Sequence, residues 1–192
     1  GNRVHDCEER GIFVSDGACP RIEENEIWGN AQSGLVTFET GTDPLVRANR
    51  VHDCEVAGIW VSNGACPRIE ENEIWGNADA GLVFIRTGTD PIVRGNRVHD
   101  GTSVGIFVSD GACPRIEANE IWGNASDGVS IWHAGTSPTI TENTIRDGLG
   151  NGISVHDGAA FIAGNRIRGN ALEALHVAAD ANPTVGSNTL GP

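Results

Sequence analysis

The chain has 192 residues, a formal net charge of −13, and no Met, Tyr or Lys, so all 13 basic residues are Arg. So acidic a surface suits neither nucleic acid nor an anionic membrane, both of which need basic partners. Its apolar runs reach only about four residues, too short for a membrane span or a signal segment.

Self-similarity organises the rest. Residues 3–49 and 50–96 match at 36 of 47 positions, and a looser third copy follows. Asn recurs at Asn2, Asn25, Asn49, Asn72, Asn96, Asn119, Asn143, Asn165 and Asn188, at intervals of 22 to 24. The unit is therefore a coil of about 23.5 residues, and 47 is a pair of coils. In chain order, the first coil carries extended signals at Gly11-Ile12-Phe13-Val14, Ile22 and Ile27. The later coils repeat them at Leu35, Val46 and Val51; Ile59, Ile69 and Ile74; Leu82, Val93 and Val98; and Ile106, Ile116 and Ile121. The last three give Val129, Ile140 and Ile145; Ile153, Ile162 and Ile167; and Leu175, Val185 and Leu190. Gly, Pro, Asn and Asp divide these signals, as turns require. With 7 Leu against 17 Ile and 16 Val, the core is built of strand-forming rather than leucine-rich-repeat residues. Three short strands per coil over about eight coils of 22–24 residues predict an all-β, single-stranded parallel β-helix spanning 1–192 as one domain.

The pattern P-x-[IV]-x-x-N-x-[IV]-[WH]-x-[NCG]-x-x-x-G-[IL] resembles the right-handed parallel β-helix repeat of NosD-like and carbohydrate-binding or sugar-hydrolase proteins. It is also similar to the β-helix of F-box-only ubiquitin-ligase subunits. The resemblance covers nearly the whole chain and implies a right-handed scaffold with either a protein or a polysaccharide as partner.

Equivalent positions of such a helix stack about 4.8 Å apart. Asn25, Asn49, Asn72, Asn96, Asn119, Asn143 and Asn165 are then a structural amide column, and Asn tolerates the left-handed backbone of a turn. Arg3, Glu26, Arg50, Glu73, Arg97 and Glu120 alternate in sign, as do Glu23, Arg47, Glu70, Arg94 and Glu117, which opposes slippage by one coil. His5, Trp28, His52, Trp75, His99 and Trp122 form an outward ring column in which successive Trp lie about 9.6 Å apart, a spacing suited to flat stacking on a polymer or to a protein's apolar side chains. Phe13, Val36, Trp60, Val83 and Phe107 form a second apolar column.

Evidence for chemistry is sparse. Cys7, Cys19, Cys54, Cys66 and Cys113 repeat with the 47-residue period, so equivalents lie two coils apart, beyond disulfide reach. Unpaired thiols favour a reducing, cytoplasmic compartment. No metal or cofactor motif is present, and the acids of Asp6-Cys7-Glu8-Glu9 and the late, non-periodic His133, His156 and His176 do not declare a catalytic set. The reading is a non-catalytic recognition or scaffold module using Trp28, Trp75, Trp122, His5, His52, His99, Phe13, Trp60 and Phe107. A carbohydrate-active lyase, epimerase or hydrolase and a self-assembling element are the alternatives. An uncapped first coil and the absent initiating Met point to a longer parent chain, or to self-association through the N-terminal coil, whereas Pro192 is expected to end the helix.

Overall fold

The computed structural model describes residues 1–191. Its strands run from Arg3–His5 to Thr189–Leu190 and form three sheets of nine, eight and eight strands. Each strand pairs in parallel with its equivalents one coil below and above: Arg3–His5 lies beside Glu26–Trp28, and Glu26–Trp28 beside Arg50–His52. Sheet A carries this series, sheet B the series beginning Ile12–Val14, and sheet C the series beginning Arg21–Glu23. The three sheets wrap into a right-handed β-helix of about eight coils. Among the described residues there is no helix long and apolar enough to cross a membrane. The expected stop at Pro192 lies outside the described residues.

The three predicted inward ladders fill the interior, and Ile27, Leu35, Ile59, Ile74, Leu82, Ile106, Ile121 and Ile153 are fully buried. A fourth inward column was not anticipated. Val14, Thr37, Val61, Phe84, Val108, Ile131 and Val155 are each 5% exposed or less. It exists because the residue two places after each first-ladder position shares its face, in three-residue strands such as Ile12–Val14 and Val129–Ile131 as in the six-residue Ala57–Ser62. At the C-terminal coil the ladders surface, with Val185 48% and Leu190 54% exposed.

The amides form an unbroken column. Asn72 Nδ2 donates to Asn96 Oδ1 (2.9 Å) and to the Val46 carbonyl (2.9 Å), while Asn72 Oδ1 accepts from Asn49 Nδ2 (3.0 Å) and the Asn49 backbone N–H (2.9 Å). The same bonds recur from Asn2–Asn25 to Asn165–Asn188. Left-handed backbone was expected at these Asn, but it lies one residue earlier, at Glu24 (φ 57°), Ala48 (52°) and Glu71 (56°). The preceding residue makes the turn and leaves the Asn amide pointing inward. Close coil approach explains the glycine column: a Cβ on Gly58 would stand 2.8 Å from the Gly81 carbonyl oxygen.

Alternating charge holds on sheet A, where Arg50 reaches Glu26 (3.0 Å) and Glu73 (3.9 Å) and Arg97 reaches Glu73 (2.7 Å). On sheet C the register also alternates, Glu23 beside Arg47 beside Glu70, but the ion pairs go elsewhere. Glu23 is held by Arg21 (2.8 Å) and Glu70 by Arg68 (3.6 Å), two residues away on the same strand face, while Arg47 turns to Glu71 (2.8 Å). These pairs are exposed, so solvent screening leaves each of them little stabilising effect.

Asn72→Leu leaves Asn49 N–H, Asn49 Nδ2 and the Val46 carbonyl short of partners in a dry interior. The expected loss of unfolding free energy is roughly 3 kcal/mol or more, read by chemical denaturation; an unchanged midpoint would make the column decorative.

Candidate functional site

The first predicted site is the ring column of sheet A. His5 lies 4.2 Å from Trp28 at an interplanar angle of 13°, His52 4.1 Å from Trp75 at 11°, and His99 4.2 Å from Trp122 at 6°. Between these pairs, Trp28–His52 and Trp75–His99 are parallel at 6.0 Å. Each imidazole is oriented by the next residue, His52 Nδ1 lying 2.8 Å from Asp53 and His99 Nδ1 2.9 Å from Asp100. Arg50 caps Trp75 at 5.2 Å, and Trp122 has Arg97 at 5.2 Å and Arg146 at 5.0 Å. The ring faces are thus engaged with one another and with guanidinium groups, and the flat stacking of a polymer expected on this column has no free face at Trp28 or Trp75. It fails because a one-coil spacing already suits ring-on-ring contact.

The second column lies on the outer face of sheet B, and here the side chains build a surface. Ala57, Ala80 and Val83 are covered by Val56, Trp60, Ile85 and Phe107, an apolar cluster separate from the interior core. Beside it runs a groove of about 320 Å³ lined by Val36, Phe38, Val56, Trp60 and Ile85, with Arg10, Gln32, Ser33, Ser62 and Arg86 supplying polar groups. Small residues at Ala57 and Ala80 let the large rings lie down on the sheet, leaving Trp60 half-buried. Phe13 stands at the N-terminal end of this face, 48% exposed, with the Arg10 guanidinium 4.4 Å above its ring.

Further along the same face the repeat breaks, and the late histidines come together. The Trp132 indole stacks on His156 at 3.7 Å and 19°, meets His133 edge-on at 6.5 Å, and donates from Nε1 to Ser130 Oγ (2.9 Å). His156 Nε2 is 2.9 Å from Ser154 Oγ, and its ring lies 6.1 Å from His176, which contacts Glu173 at 3.2 Å. Burial lowers the His156 pKa below its ordinary value of 6.5, opposed by the nearby Asp127 carboxylate and assisted by His176. Asp127 itself is occupied by the Asn151 backbone and side-chain N–H groups. His133 pairs with Asp110 one coil below (2.7 Å). This assembly was not legible in sequence. Departure from the repeat was the only signal, and it marked the histidines without showing that they share a face. By contrast, the Asp6-Cys7-Glu8-Glu9 acids do not converge: Asp6 bonds His5 (2.8 Å) and Glu9 pairs with Arg10 (3.3 Å).

The cysteines also acquire a role. Asn30, Cys54, Asn77, Gly101 and Asn124 form a second buried column, in which Asn77 Oδ1 accepts from the Cys54 N–H (3.1 Å) and Asn30 Nδ2 contacts Cys54 Sγ (3.7 Å). Burial raises the Cys54 thiol pKa. All five cysteines are free.

The pattern describing the right handed beta helix region matches residues 1–97 and again 83–190. Among solved structures, the chain is similar to the periplasmic alginate epimerase AlgG (TM-score 0.69, 15% identity, covering 87% of this chain and 51% of that one). It is also similar to the mannuronan C-5 epimerase AlgE6 A-module of Azotobacter vinelandii (0.73, 17%, 99% and 63%) and to the Dettilon tailspike protein gp208 (0.62, 13%, 100% and 55%). The chain thus spans roughly half to two thirds of their length. No curated protein matches it in sequence. These likenesses correct the cytoplasmic location inferred from the cysteines, because AlgG, a structure of this fold, is periplasmic. The physical reason is that these thiols stay apart because the coil spacing separates them, so their free state does not report a compartment. In the folded protein, Cys19 on the surface should alkylate readily while Cys54, 2% exposed, reacts only on unfolding. Mass mapping after iodoacetamide treatment checks this, and equal labelling of the two would contradict the buried column.

Proposed function

We propose that this chain, which belongs to the right handed beta helix region family, is a saccharide-recognition module whose binding surface is the outer face of sheet B. The observation that carries the reading is the groove over Val36, Phe38, Trp60 and Ile85, bordered by hydroxyl, amide and guanidinium groups. A sugar ring has apolar C–H faces and a hydroxyl rim. It therefore matches an aromatic and aliphatic floor with polar edges better than an extended apolar protein surface would. Phe13, Trp60 and Phe107 are the binding residues of this reading. Trp28, Trp75 and Trp122, with His5, His52 and His99, serve as a packed stripe that covers sheet A.

Support comes also from the neighbours of this fold, two of which are named as epimerases of alginate or mannuronan. Turnover of a bound saccharide, seen as new reducing ends or unsaturated products, would replace recognition by catalysis. The non-periodic His133, His156 and His176 favour that second reading.

Titration of a panel of neutral, acidic and amine-bearing oligosaccharides, followed by Trp fluorescence and calorimetry, tests the proposal. At least one class should bind, and Trp60→Ala should weaken it about tenfold or more, while Trp75→Ala changes it less than about twofold. Binding that depends on Trp75 and not on Trp60 would move the site to sheet A, and silence from every glycan would remove the saccharide reading.

A further inference from the structure

Trp132 differs from Trp28 and Trp75 of sheet A in having a stacked ring, His156, on one face only and in being 39% exposed. His156 covers the side toward the C-terminal coil, at 3.7 Å. On the other side the register brings Ser109 beside Trp132, since Val108 pairs with Ile131 and the Trp132 N–H bonds the Val108 carbonyl. A serine there, 2% exposed and contacting Asp110 with its hydroxyl (3.0 Å), presents no ring to the indole, and Trp132 is 39% exposed. Asp110 follows Ser109 on this same side. Its carboxylate already draws a nitrogen, the His133 Nδ1 at 2.7 Å, from a ring that is itself 61% exposed at the surface.

A part-exposed indole beside a half-exposed carboxylate is an arrangement that can hold an organic cation. Asp127, Asp157 and Glu173 lie on neighbouring coils, Arg86 lies one coil below Asp110, and the chain carries a net charge of −13. We propose that Trp132 and Asp110 form a subsite for the ammonium group of an amino sugar, so that the saccharide taken by this face bears a free or alkylated amine. This rests on the saccharide-recognition reading above and narrows its ligand. The ring packs against the exposed part of the indole, and the ammonium takes the place of His133 at Asp110.

Backing by His156 makes the subsite sensitive to acid. The groups facing His156 are Ser154 on its own coil, Trp132 and Asp127 below, and His176, itself paired with Glu173, above. Burial keeps the imidazole neutral at neutral pH. Protonation places a positive charge against the back of the ring that holds the ligand's cation, so binding weakens as pH falls below the ordinary imidazole value.

The test uses three oligosaccharides of equal length: glucosamine oligomers carrying permanently charged trimethylammonium groups, their N-acetylated counterparts, and oligouronates. Permanent charge removes titration of the ligand from the readout. Calorimetry at about pH 7.5 should rank the quaternary form about tenfold above the N-acetyl form, with the uronate weakest. Asp110→Asn and Trp132→Ala should each erase that preference, with Trp132→Phe retaining part of it. His156→Gln should preserve affinity at about pH 7.5 and abolish its decline toward about pH 5. Equal affinity for the quaternary and N-acetyl forms, or preference for the uronate, would overturn the amino-sugar subsite while leaving saccharide recognition standing. Failure of all three to bind would overturn both.

Discussion

Coils can stack at strand spacing only if the polar groups at each turn find partners in the coil above and below. The asparagine column meets that requirement. From Asn49 to Asn165 each amide accepts the backbone and side-chain N–H of the Asn below it and donates onward to the Asn above and to a strand carbonyl. A buried turn would otherwise strand several donors and acceptors, each costing roughly 1–3 kcal/mol. Once the turns are locked, the inward Ile and Val ladders fall into line, and glycine is required at Gly58 and its equivalents because the neighbouring backbone arrives too close for a Cβ.

The same stacking decides what the outside can do. Large rings repeated at one-coil spacing cover each other, as His52 and Trp75 do at 4.1 Å, and that consumes their faces. Recognition is left to the places where a ring's neighbours are small. Ala57 and Ala80 open the groove beside Trp60, and Ser109 places no ring against the second face of Trp132. On this fold the residues that license binding are as much the small ones in a column as the aromatic ones.

Much of the fold was readable from the repeat because each inward ladder shows as a fixed-period Ile, Val or Leu. The fourth column, from Val14 through Phe84 to Val155, was not read because Thr37 and Phe84 interrupt its run of Val and Ile. Cys54 and Gly101 interrupt the second Asn column in sequence, although Asn77 and Asn124 bond the N–H groups of both. For the site, the aromatic residues were identifiable but their exposure was not, since nothing in the spacing of Trp28 and Trp75 distinguishes mutual stacking from an open platform. His133, His156 and His176 were visible as exceptions. Their meeting around Trp132 follows from three neighbouring positions on successive coils, His176 beside Ser154 and His156 beside Trp132, which no single column joins.

Side-chain amide exchange tests the central claim most directly, because it observes the column itself. With Asn side-chain NH₂ groups followed by NMR in D₂O, those of Asn49, Asn72, Asn96 and Asn119 should exchange as slowly as the adjacent strand amides and be lost with them on global unfolding. Protection should fall toward Asn2 and Asn188, at the two ends of the column. Free-amide exchange at Asn72 and Asn96 beside well-protected strands would show that the coils stack without the column, and the account would fail.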